Sequence, residues 1–275
     1  MNTSAPPDLQ ACVDRLNELR VFPAAALRVL AIMRDPEASI VDVEVALEAD
    51  PTLAAQALSI ANSAAFSRKV PVRTLGRAVK VLGLKSTRDL VLSVIVGNIA
   101  SQRAPWGPYM HRHALLCATI SRNLAARTPY VDANEAYVVG LLHDLGLQLL
   151  LRLDPEATEQ LLERCGMKML EKAEKIRFGF THAELSAMCM HSWSLPASVI
   201  QVVSNHHQAV KPSKEHAPHL VLSVADELSD LLSDGAGSLD VFKVLKTHPV
   251  NRILRLPEGV LRQLAEQILD DASAI

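Results

Sequence analysis

Aromatic side chains make up only 4% of the 275 residues, and Trp and Tyr together number five. That scarcity argues against sandwiches and barrels, whose sheets lean on aromatic and β-branched pairs. An excess of either charge is also missing. Lys and Arg number 28 against 30 Asp and Glu, a net charge of −2, so nothing gathers positive charge for phosphates and nucleic acid is not an expected partner. The four cysteines, Cys12, Cys117, Cys165 and Cys189, lie far apart with no C-x-x-C pair. A zinc ribbon and a disulfide framework are therefore excluded, and buried thiols in a reducing compartment are expected. Long apolar runs are lacking too: Leu90 to Ala100 contains Ser93, Gly97 and Asn98 and is about half the roughly 20 residues that span a bilayer. Met1 to Asp8 has neither a basic nor an apolar leader region. The expectation is a cytoplasmic protein with no membrane partner.

What is present is Ala, Leu and Val within a hydrophobic fraction of 49%, which suits close helix packing. An all-α protein of two packed helical bundles is expected. Leu9 to Leu19 has helical spacing, and Pro23 opens a second helix that Asp35-Pro36 stops. Ser39 reads as a cap, and Asp50-Pro51 as a helix start. After Pro71, the positions Leu75, Ala78, Val79 and Leu82 keep the i, i+3, i+4, i+7 pattern until Gly83. Ser86 and Asp89 suggest a capping pair for the buried run Leu90 to Val96. Pro105-Trp106-Gly107-Pro108 breaks the pattern and marks the expected boundary between bundles 1–105 and 106–275.

All ten histidines lie beyond that boundary. In a helix expected from about Tyr109, His113 shares the phase of Leu116, Cys117 and Ile120, so it is a candidate ligand and His111 a surface residue. His143-Asp144 stands in the apolar run Gly140 to Gly146, where neither group belongs unless something pairs it. The bland alternative is a His bonded to a backbone carbonyl beside an Asp acting as a cap. Leu150 to Lys175 reads as one or two amphipathic helices, broken near Asp154-Pro155 and weakened at Gly166. Thr181-His182-Ala183-Glu184 forms a capping box that fixes His182 in the first turn of its helix. Leu195-Pro196 opens a helix ending in Asn205-His206-His207, and Asp226 lies near the apolar side of Leu220 to Leu232. Imidazoles and carboxylates at facing positions of a bundle bind transition metals, and this set suffices for two ions.

The run Phe22-Pro23-Ala24-Ala25-Ala26-Leu27-Arg28-Val29-Leu30, then Asp50-Pro51-Thr52-Leu53-Ala54, Leu58 to Phe66 and Ala78-Val79-Lys80-Val81-Leu82-Gly83, resembles the HDOD family of bacterial signalling modules. The resemblance extends from about Val13 to His207. Through that family the chain is similar to the HD superfamily of metal-dependent phosphohydrolases, named for a pair that His143 and Asp144 match. The resemblance implies a divalent metal, Fe, Mn or Zn, at one or two sites. His113, His143 and Asp226 would hold one ion, His182, His206 and His207 the other, and Asp144 would bridge.

Two departures from the related HD-GYP phosphodiesterases matter. Those enzymes follow His-Asp with Ile-Gly-Lys, where this chain has Leu145-Gly146-Leu147, and a neutral Leu cannot stabilise charge on phosphoryl oxygens. They also follow His-His with an acid and a Gly-Tyr-Pro loop, where this chain reads Gln208-Ala209-Val210-Lys211-Pro212. HDOD modules as a family are regarded as regulatory. The expected function is therefore a signal-transduction module binding a signalling protein or a small ligand such as a nucleotide, with phosphohydrolysis as the alternative.

Overall fold

Capping residues set several of the helix starts. Ser39 accepts from the Asp42 amide while the Asp42 carboxylate accepts from Ser39 N–H, and Asp50 accepts from the Leu53 amide ahead of Pro51. The computed structural model describes residues 9–18, 23–35, 37–63, 66, 71–100, 106–165, 167–193 and 195–275, and these form helices without a strand. Leu19, Phe22, Pro36, Ala64, Ala65, Pro105 and Gly166, all used above, lie outside the described residues.

Two compact units divide the chain, one spanning Asp14–Ile99 and the other containing everything from Ala100 onward. The first unit includes the end of α1 (Leu9–Glu18), then α2 (Ala24–Ile32), α3 (Ile40–Glu48), α4 (Pro51–Ala61) and α5 (Leu75–Ala100). Gly83 interrupts α5 with φ 76° and ψ 162°, a left-handed position natural to glycine. Helical geometry resumes at once, so Ser86 falls inside the helix and does not cap it; instead the Thr87 hydroxyl donates across the break to the Gly83 carbonyl at 2.8 Å. Asn62 explains its place in the family motif. Its amide donates to the Leu58 and Val72 carbonyls, and its oxygen accepts from the Val72 amide, all at 2.8 Å, fixing where the chain returns beside α4.

The second unit holds α6 (Trp106–Ala125), α7 (Ala133–Leu142), α8 (Leu145–Leu153), α9 (Pro155–Arg164), α10 (Met167–Phe178), α11 (His182–Ser192), α12 (Ala197–Ser204), α13 (Ala217–Ser233), α14 (Ser238–Thr247), α15 (Asn251–Leu254) and α16 (Glu258–Ala274). Helix α6 starts at Trp106 rather than near Tyr109, because Gly107 and Pro108 fall in its first turn, where a missing N–H costs nothing. The stretch expected as one or two helices after Leu150 is the end of α8 followed by α9 and α10, with Asp154 capping α9. Helix α6 packs along α7 and α13, α11 crosses α8, and α12 contacts α7 and α11. Cys12, Cys117 and Cys189 are buried as expected, whereas Cys165 is half-exposed because it follows the last turn of α9. Ala133–Leu153 is apolar and long enough to cross a membrane by composition; it is 78% buried and broken at His143-Asp144.

Two glycines let the helices that carry the His-Asp pair approach their neighbours. A Cβ on Gly140 would lie 2.6 Å from the Cys117 carbonyl oxygen, and one on Gly146 would collide with the backbone of His182. The Gly146 amide also donates to Ser186 Oγ at 2.7 Å, and that hydroxyl donates to the His143 carbonyl at 3.2 Å. Gly146→Ala is therefore expected to push α11 from α8 and cost roughly 1–3 kcal/mol. Denaturant unfolding checks this, and an unchanged midpoint would contradict the contact.

Candidate metal centre

The His143-Asp144 pair sits at a junction between helices. His143 closes α7 in helical geometry, and Asp144 turns out of it with φ −100° and ψ 15° before α8 begins. Asp144 stands at the cap position of α8, yet its side chain makes no capping hydrogen bond. Half of the bland reading holds for His143, whose Nδ1 donates to the Gly140 carbonyl at 2.8 Å. Its Nε2 faces His113 Nε2 at 3.3 Å, Asp144 Oδ2 at 3.4 Å and Asp226 Oδ1 at 3.5 Å.

The same division recurs at His182 and His206. His182 Nδ1 is held by Glu174 at 2.8 Å, and His206 Nδ1 donates to the Val203 carbonyl at 2.7 Å. Both Nε2 atoms then lie 3.4 Å from Asp144 Oδ1. His207 Nε2 meets His182 Nε2 at 2.9 Å. His113 directs Nδ1 to Asp230 at 3.2 Å and Nε2 to Asp226 at 3.1 Å. Holding one ring nitrogen on an acceptor and aiming the other inward is how proteins orient metal-binding histidines.

All seven residues expected as ligands converge here. Asp144, His182, His206 and His207 form one group able to hold an ion, His113, His143 and Asp144 a second, and His113, Asp226 and Asp230 a third. Asp144 joins the first two, one oxygen to each. The buried atoms Asp144 Oδ1, Asp226 Oδ1 and His206 Nε2 meet no hydrogen-bond geometry, despite lying close to one another's groups. Polar atoms that converge without bonding fit a cation between them better than they fit each other.

Electrostatics agree with that fit. Burial works against charge on His113 and His182, but Asp226 and Asp230 raise the first to about 10, and Asp144 and Glu174 raise the second to about 10. His143 is also raised despite burial, chiefly by Asp144. Burial pushes Asp144 and Asp226 up, yet the facing imidazoles hold both well below the usual carboxylate range. Among the seven candidate ligands, His207 is the imidazole that goes down, to about 3, through burial and the neighbouring His206 and His182. The cluster is a sink for positive charge.

Three residues of this network are absent from the sequence-based ligand set: Glu174, Asp230 and Tyr109, whose hydroxyl donates to Asp230 at 3.2 Å. Glu174 shares the buried phase of Leu170 and Phe178 on α10, and Asp230 lies four residues after Asp226, so both carried a periodicity signal. His111, expected at the surface, is half-buried, and burial lowers its pKa.

The HDOD domain family matches residues 19–209. The chain belongs to the HDOD family. Asp226 lies beyond the matched span, and the other six expected ligands lie within it. An uncharacterized protein of Treponema pallidum is 25% identical over 215 residues, covering 77% of this chain; the match spans 42% of that relative's length. Among solved structures, an HDOD domain protein of unknown function from Geobacter sulfurreducens is 24% identical, with 97% of each chain covered and a TM-score of 0.70. A Shewanella amazonensis protein provisionally named a phosphohydrolase is 21% identical, with 95% of each chain covered and the same TM-score. Both share the all-α fold of this HDOD chain.

Proposed function

We propose that this HDOD protein is a cytoplasmic signalling module whose His/Asp cluster holds a divalent metal and whose output is binding of a partner protein or a small ligand, a nucleotide included. The observation that carries the metal reading is the set His143, His182 and His206, each with Nδ1 committed to an acceptor and Nε2 turned toward Asp144. In a dinuclear form, His113, His143 and Asp226 would hold one ion, His182, His206 and His207 the other, and Asp144 would be shared between them. A bound metal would supply Lewis acidity and a more acidic coordinated water.

The regulatory part rests on Leu147. It stands where HD-GYP enzymes carry Lys, and it is 3% exposed in a cluster with Met110, Leu151 and Leu170. Leu147→Lys is expected to destabilise the chain by roughly 2–4 kcal/mol, through a charge placed in that cluster, and to bring no phosphatase turnover. Denaturant unfolding and a phosphatase assay with Mn²⁺ check it; a gain in turnover would favour the phosphohydrolase reading, which the Asp144 position between two imidazole groups supports.

Elemental analysis of purified protein, repeated after incubation with Fe²⁺, Mn²⁺ and Zn²⁺, tests the metal reading directly. Metal must displace protons from His113 and His182, whose pKa values lie near 10 in the free site. Apparent affinity is therefore expected to rise between pH 6 and 8 by up to about tenfold per pH unit for each proton released. Calorimetric titration in buffers of different ionisation enthalpy counts those protons, and an affinity flat in pH contradicts the assignment.

A further inference from the structure

A second feature of this unit has no part in the metal cluster. A cavity of about 80 Å³ is enclosed by α6, α7, α12 and α13 and the loop from Tyr130 to Asp132. Its walls are apolar, with Val139 from α7, Val199 and Val202 from α12 and Val221 from α13. For scale, a dry cavity of about 150 Å³ accepts benzene, so about three or four carbon atoms fill this one.

One buried polar group lines it. Ser121 is 1% exposed, and its hydroxyl has no hydrogen-bond partner. Other buried helix serines behave differently: Ser229 donates to the Ala225 carbonyl at 2.7 Å, and Ser186 bonds across helices to the His143 turn. A buried hydroxyl left unpaired is costly and calls for a partner.

Two carboxylates line the mouth. Glu135 lines it and accepts from the Ser198 hydroxyl at 3.3 Å; Asp132 accepts from the Asn134 and Glu135 amides at 2.8 and 3.0 Å. Both carboxylates stand at the start of α7, which offsets part of each charge, and Glu135 is the half-buried one of the two at the mouth. The Tyr130 ring beside it already takes a cation, since Lys214 Nζ lies 4.9 Å from its centre.

We propose that this cavity is a binding site for a small ligand with an ammonium head and a short aliphatic tail, the tail lying among the valines and the head held by Glu135 at the mouth. The helices that wall it also carry His113 on α6 and Asp226 on α13, and they lead into His143 after α7 and His206-His207 after α12. Binding itself requires no metal, so its test stands apart from the metal reading.

The probe is n-butylammonium, with butyrate and n-butanol for comparison, titrated into the metal-free full chain carrying labelled Val and Leu methyl groups. The expected result is a saturable shift of the Val139, Val199, Val202 and Val221 methyls, with a dissociation constant on the order of 1 mM and butyrate weaker by about tenfold or more. Glu135→Gln is expected to weaken n-butylammonium about five- to tenfold and leave n-butanol unchanged. Ser121→Ala, which leaves the charge in place and makes the wall more apolar, is expected to bind n-butylammonium no more weakly than the wild-type chain. Butyrate binding as tightly as n-butylammonium, or no saturable shift of these methyls in the wild-type chain by roughly 50 mM probe, overturns the proposal.

Discussion

Replacing Asp144 by Ala is expected to lower metal affinity by more than about 100-fold at both imidazole groups, so that dialysed protein retains less than about a tenth of its metal. Asp144 contributes one oxygen to His182 and His206 and the other to His143 and His113, at 3.4 to 4.0 Å. Loss of any single imidazole leaves the opposite group intact, whereas loss of this carboxylate damages both. The chain should still fold, because Asp144 makes no cap bond to α8 and the turn is held by Ser186 and Gly146. Far-UV circular dichroism separates loss of metal from loss of fold. His191→Ala serves as the control: His191 is exposed on α11, outside the cluster, and its removal should leave metal content unchanged. Full metal retention in Asp144→Ala with a native spectrum would remove Asp144 from the centre.

How much of this was legible in the sequence depends on the scale of the signal. Caps and periodicity are local, so the starts at Ser39, Asp50 and Thr181 and the break at Gly83 follow from a few adjacent residues. The fold family followed from motifs spread over the chain, and one of their residues, Asn62, clamps backbone ten positions away. The candidate ligands stood out because His and Asp are rare on apolar faces. Glu174 did not, since a Glu in the Lys- and Glu-rich helix α10 reads as solvated unless its phase against Leu170 and Phe178 is weighed. The cap at Ser86 fails because Gly83 both ends one helical segment and begins the next, which leaves no gap for a cap. Reading Asp144 as a helix cap places its backbone correctly at the start of α8, yet its side chain makes no capping bond, because backbone position and side-chain direction are separate facts.

Glu174 carries the other large effect. Its carboxylate is fully buried and accepts from the His182 amide at 2.9 Å and from His182 Nδ1 at 2.8 Å. Glu174→Ala would leave both donors buried without a partner beside an empty volume, and is expected to cost roughly 3–5 kcal/mol. For a chain of this size that is a fall of about 6–15 °C in Tm. Glu174→Gln keeps the volume and one acceptor, so its stability loss should be smaller, and its effect should show in metal binding, about 10–100-fold weaker at pH 8. Glu174 and Asp144 together lift His182 to about 10, so without the Glu174 charge the imidazole holds its proton less firmly. Metal then competes with a weaker proton on a less basic nitrogen. The affinity gap between Glu174→Gln and wild type should therefore narrow as pH falls from 8 to 6, and a metal titration across that range reads it. A gap that widens toward pH 6 would mean that Glu174 acts on the centre by some route other than the basicity of His182.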